Sequence, residues 1–91
     1  MKKEEAEKIL TDLTKSNLGS YDKQDITDFG HDIEEITEFV EMMDEGIIIE
    51  DDFIFENCEM LVYTSDSDER DITAFIIMCE ENVVAYGYVG D

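Results

Sequence analysis

The stretch DITAFIIMCEENVVAYGYV, residues 71–89, decides the fold. Its two halves, 71–79 and 82–89, are rich in Ile, Val, Phe and Tyr, and neither contains proline. The break between them, Glu80-Glu81-Asn82, is too short for a parallel crossover, so the halves read as antiparallel neighbours. Both are apolar on two sides. Ile72, Ala74, Ile76 and Met78 point one way and Phe75, Ile77 and Cys79 the other, while Val83, Ala85 and Val89 alternate with Val84, Tyr86 and Tyr88.

The same strand character extends back through 58–64, 52–56 and 47–50, separated by the acidic or polar breaks Glu56-Asn57 and Glu50-Asp51-Asp52; the last two runs read as one bent strand or as a hairpin. Before Gly46 the period changes. At about 100° per residue, DIEEITEFVEMMDE, residues 32–45, places Ile33, Ile36, Phe39, Val40 and Met43 on one side of a helix and Glu34, Glu38, Glu41 and Glu45 in a narrow sector opposite. This helix is predicted to start between 28 and 32, with Phe29 on its apolar face, and to end at Gly46. Asp25 or Asp28 can cap it, and Gly30 interrupts the pattern. Residues 16–20 read as a loop, with Gly19 or Asn17 able to take a left-handed position. Residues 3–15 read as a first helix with Ala6, Ile9 or Leu10, and Leu13 facing inward, and with Glu4 and Lys8 in the favourable i,i+4 order. The expectation is one domain, residues 1–91, of α+β class: two helices followed by and packed on a three- to five-stranded antiparallel sheet. Two helices are expected to cover one face of that sheet, leaving the second face or an edge to pair with another copy as a homodimer.

Six Lys and Arg stand against 26 Asp and Glu, a net charge of -20. Its distribution is uneven. Residues 1–23 balance, with Glu4, Glu5, Glu7, Asp12 and Asp22 against Lys2, Lys3, Lys8, Lys15 and Lys23; the other 21 acids have Arg70 as their single base, and residues 24–69 have none. Such a charge repels itself and weakens the compact state. Yet 43 % of residues are hydrophobic, which separates the chain from disordered acidic sequences.

This balance excludes direct nucleic-acid binding, because phosphates are repelled along most of the chain. Acidic lipid surfaces are repelled too, and no apolar run approaches the ~18 residues of a membrane span. Cys58 and Cys79 lack ligand partners at metal spacing and fall in apolar strand patterns, so they read as buried small hydrophobes. With no secretory segment in view, they suggest a reduced, intracellular protein in the cytoplasm. His31 reads as a helix-start or surface residue. Asp66-Ser67-Asp68-Glu69-Arg70-Asp71 alternates carboxylates like a calcium loop but has Arg70 and Asp71 where that loop needs a ligand and a glycine, and Ile77 where it needs Glu. No metal, cofactor or catalytic activity is expected.

The acids remain. An ordinary solvated face intersperses Lys or Arg to relieve i,i+4 repulsion of ~0.2–0.5 kcal/mol per pair. Adaptation to high salt would load residues 1–23 as well. A surface that imitates nucleic acid explains both features. From Glu34 to Glu45 a helix covers about 16 Å at 1.5 Å per residue, roughly one charge per turn, where one DNA strand carries a phosphate every ~3.4 Å. Glu35, Glu50, Asp51, Asp52, Glu56, Glu59, Asp66, Asp68, Glu69 and Asp71 are the candidates to fill out that row. The competing reading is an acidic immunity protein or antitoxin that neutralises one basic toxin.

In size, acidity, helix-and-sheet pattern and lack of proline, the chain resembles the small acidic DNA-mimic proteins of bacteriophages, and most of all the Arn-like anti-restriction proteins of T-even phages. That resemblance implies an inhibitor that helps a phage evade host defence by occupying the DNA-binding cleft of a host protein, a McrBC-type restriction endonuclease or a nucleoid-associated protein. Over a shorter span, Leu61-Val62-Tyr63-Thr64, the acidic stretch through Asp71 and the apolar run to Met78, it is similar to uracil-DNA glycosylase inhibitors. It departs from them in lacking the Glu-Ser-Ile stretch of their first strand.

Overall fold

In the computed structural model, which describes residues 1–25, 33–49, 58–65 and 71–90, the 71–89 stretch forms β4 (Ile72–Cys79) and β5 (Asn82–Gly90), joined antiparallel across a two-residue turn. Before them come α1 (Lys3–Thr14), β1 (Leu18–Asp25), α2 (Ile33–Glu41), β2 (Glu45–Ile48) and β3 (Cys58–Ser65). The sheet runs β1-β3-β4-β5-β2, antiparallel at every pairing. Two helices and five strands make an α+β domain, as the apolar periods predict. The run at 52–56 lies outside the described residues.

The turn itself is unusual. Glu80 and Glu81 have φ of 51° and 71°, the left-handed conformation that this hairpin turn requires and that Asn-Gly ordinarily fills. Non-glycine residues there carry strain of about 1–3 kcal/mol each. Along the strands the register jumps from Ile77↔Ala85 to Met78↔Val83, which leaves Val84 without a partner on β4. The alternation expected through 83–89 therefore breaks. Val84 and Ala85 share one core cluster, and Val83 and Tyr86 belong to the other.

Those two clusters lie on opposite faces of the sheet, and each is closed by one helix. Ala6 and Leu10 of α1, both fully buried, pack with Leu61, Tyr63, Ala74, Ile76, Val83 and Tyr86. Val40 of α2 and Met43 just beyond it pack with Met60, Ile77, Val84 and Ala85, and Phe39 meets Phe75 edge to face at 5.2 Å. The expectation that both helices cover one face is thus corrected, so the uncovered face is no ground for a homodimer, and the edges β1 and β2 are what remain for it. With only a helix to each side, strands that are apolar on both faces are buried on both faces.

Local departures have local causes. Leu13 is 39 % exposed, and Thr14 takes the inward place, its hydroxyl donating to the Leu10 carbonyl at 2.8 Å. The left-handed residue after α1 is Lys15, neither Asn17 nor Gly19, and its N–H donates to the Thr11 carbonyl at 2.8 Å. Leu18 to Asp25, read as loop and uncertain sequence, forms edge strand β1. Helix α2 ends at Glu41 and not at Gly46, because Gly46 sits in β2 directly opposite Gly87 of β5. A Cβ on Gly46 would strike the Val40 carbonyl, and one on Gly87 would strike the Glu45 carbonyl and the Met43 sulfur. This bare pair of backbones lets the end of α2 sit directly on the sheet.

Cys58 and Cys79 face each other across β3 and β4 and form a disulfide. They are not free thiols, which corrects the reading on which a reduced protein rested. Cys58 is buried as expected, and Cys79 is half-buried. Among the described residues, no helix is long and apolar enough to cross a membrane.

Candidate partner-binding surface

The sequence places an acidic stripe on α2, and the structure divides the expected row into separate places. Glu38 and Glu41 are exposed on α2, with Phe39 and Val40 turned to the core between them. Glu34 and Glu35 also lie on α2, with side chains outside the described residues. Glu45 opens β2 opposite Tyr88, exposed, and so belongs to the sheet rather than to the helix. Asp71, also exposed, immediately precedes β4, whose first residue Ile72 pairs with Gly90.

Glu45 and Asp71 meet at one end of the sheet, where β5 stops, β2 begins and β4 begins. Asp44, absent from the sequence candidates, joins them: its carboxylate accepts the Gly90 backbone N–H at 2.9 Å and so ties the end of α2 to the end of β5. Its place just outside the α2 helix, at the junction with β2, hid it from a reading by helical period. Glu50, Asp51, Asp52, Glu56, Asp66, Asp68 and Glu69 fall outside the described residues, as do His31 and Arg70.

Glu59 is elsewhere. It shares a face with Leu61 and Tyr63 on β3, the face that α1 covers, near the opposite end of the sheet. There Lys23 of the neighbouring β1 lies 3.7 Å from its carboxylate, the one ion pair found among the described residues. Both side chains are more than half exposed, so the pair adds ~0–1 kcal/mol at most. Around it is a cleft of about 550 Å³ lined by Lys2, Lys3 and Lys23 and, beside Glu59, by the acids Glu4, Glu80 and Glu81. Lys3 donates to the Tyr21 hydroxyl at 3.2 Å and its ammonium lies 4.8 Å from the ring centre, contacts that raise its pKa.

Charge is therefore sorted by element, with acids and lysines balanced across residues 1–23, which hold α1 and most of β1. Lys2, Lys3, Lys8, Lys15 and Lys23 lie on α1, at its two ends, or on β1. Among the described residues, α2, β2 and the sheet end they share carry acids and no base. No described group of three or more His, Cys, Asp or Glu side chains is arranged to hold a metal ion. No known family model matches the chain, and neither a curated protein nor a solved structure matches it.

Proposed function

We propose that this protein is a DNA-mimic inhibitor, which presents the α2 side of the molecule to the basic DNA-binding cleft of a host protein and so excludes DNA. The observation that carries this reading is the sorting of charge by element. If acids served only solubility, nothing would keep the five lysines to α1 and β1 and leave α2 and β2 without one. Carboxylates stand in for phosphates, and attraction to Lys and Arg gives fast, salt-sensitive association.

The target this reading favours is a restriction endonuclease of the McrBC type, with a nucleoid-associated protein as another cleft of the same chemistry. One observation favours a second target, uracil-DNA glycosylase. The stretch that is similar to inhibitors of that enzyme, Leu61 to Thr64 and on to Met78, falls on a single β3–β4 hairpin, and β1 supplies a strand ahead of it.

The test measures DNA cleavage by a McrBC-type endonuclease and uracil excision by uracil-DNA glycosylase, with and without this protein, over a range of salt. Inhibition is expected to be relieved by excess duplex DNA and to weaken steeply as salt rises. Replacing Glu38 and Glu41 by Gln is expected to weaken it with the fold intact. A ternary complex in which mimic and DNA occupy one cleft together would sink the reading. A single high-affinity partner that DNA does not displace would mark an immunity protein instead.

A further inference from the structure

Met42 is 80 % exposed, twice the exposure of any other large apolar side chain among the described residues, which reach 38–40 %. Burial of a methionine is favourable, and the core position at this corner is already filled by Met43, which is 8 % exposed. Among the described residues, Met43 and not Met42 belongs to the core cluster at this corner.

The side chain is displayed from a fixed base. Its backbone N–H donates to the Glu38 and Phe39 carbonyls at 3.1 and 3.2 Å, and the next N–H, of Met43, donates to the Val40 carbonyl at 3.2 Å. Met43 is seated on the sheet over Gly87, and Asp44 is tied to Gly90. Residue 42 is thus anchored on both sides, so little backbone freedom remains to be lost when a partner binds. Its chain neighbours Glu38, one turn back, Glu41 and Glu45 are all exposed acids.

An apolar centre within a charged rim is the layout of a protein interface, in which a few desolvated anchors carry most of the affinity. Methionine suits the role because it is flexible and polarisable and fills pockets of varied shape. We infer that Met42 is the apolar anchor of the acidic surface, and that its partner is a protein with an apolar pocket set inside a basic cleft. Charge decides the occupant. A second copy of this chain would bring the same acids against one another, and an anionic lipid surface would repel them. This inference rests on the functional reading above.

The experiment measures binding to the same two probes, McrBC-type endonuclease and uracil-DNA glycosylase, across a salt series. Met42→Ala is expected to weaken binding at least about tenfold at every salt concentration. It should leave the slope of affinity against salt unchanged, since no charge is removed, and leave the urea midpoint of the fold unchanged. Glu38→Gln with Glu41→Gln should do the converse and flatten the slope. If Met42→Ala binds like the wild type while the acid variant flattens the slope, Met42 is a bystander and only this inference falls. If the wild type binds neither probe at any salt concentration, the assignment of these enzymes as targets falls and takes this inference with it.

Discussion

Tyr63 shows how one side chain holds a helix to the sheet. It is 1 % exposed, and its hydroxyl donates to the Glu7 carboxylate of α1 at 2.9 Å. Burial, and then the hydrogen bond and charge of Glu7, push the phenol pKa well above its usual value near 10. The native state thus holds its proton where the unfolded chain has released it. Stability from this group is complete below the unfolded pKa and declines as pH rises beyond about 10, because the unfolded state then binds fewer protons. Urea unfolding at a series of pH values is expected to show a falling midpoint above that pH. Tyr63→Phe should make the fall shallower and lower the unfolding free energy at neutral pH by about 1.5–3 kcal/mol, the range for a hydrogen bond to a charged group. An unchanged alkaline slope in Tyr63→Phe would assign the fall to other groups. Leu13 and Met42 mark what residue-level reading misses, since both are apolar and both stay in water. Period alone put Leu13 inward. Met42 lies a turn after Glu38, beside the acidic stripe, and was open to notice on the same helical wheel.

The elements were legible wherever they are apolar on a regular period. The hairpin of β4 and β5, strand β3 and both helices follow from that signal. Strand β1 does not, for a physical reason. It is an edge strand with a single sheet neighbour, its register slips between Leu18 and Tyr21, and most of its described side chains are exposed. Such a strand needs no alternating pattern, and its backbone pairing with β3 supplies the stability. The disulfide was hidden because no sequence spacing reveals that Cys58 and Cys79 are cross-strand partners; only the register of β3 on β4 does. It closes a loop of 21 residues in sequence separation, which in the chain-entropy account stabilises the fold by about 3 kcal/mol. The other pairs of the β3–β4 ladder are independent of it. Reduction, or Cys58→Ser with Cys79→Ser, is therefore expected to lower the unfolding free energy by about that amount, and so the urea midpoint, while the far-ultraviolet circular dichroism of the folded state persists. Equal midpoints for oxidised and reduced protein would show that the bond contributes nothing to stability.

At the scale of the whole molecule, the net charge of -20 sets two effects of salt against each other. The first acts on the fold. The radius of gyration is 12.3 Å, shorter than the Debye length of ~30 Å at 0.01 M salt and longer than the ~8 Å at 0.15 M. At low salt every acid feels the others across the molecule, whereas at physiological salt only neighbours such as Glu38 and Glu41, ~5–6 Å apart at their Cβ atoms, still interact strongly. Added sodium chloride is therefore expected to raise the urea midpoint, with most of the gain between about 0.01 and 0.15 M and little beyond. The second effect acts on capture, where the same ions screen the attraction between the acids of the α2 side and a basic cleft. Affinity should fall over the range in which stability rises. Urea titrations and binding curves on one salt series check both. A midpoint that does not move with salt would mean that the acids are already compensated within the fold, and carboxylates so compensated would have little left with which to imitate phosphates.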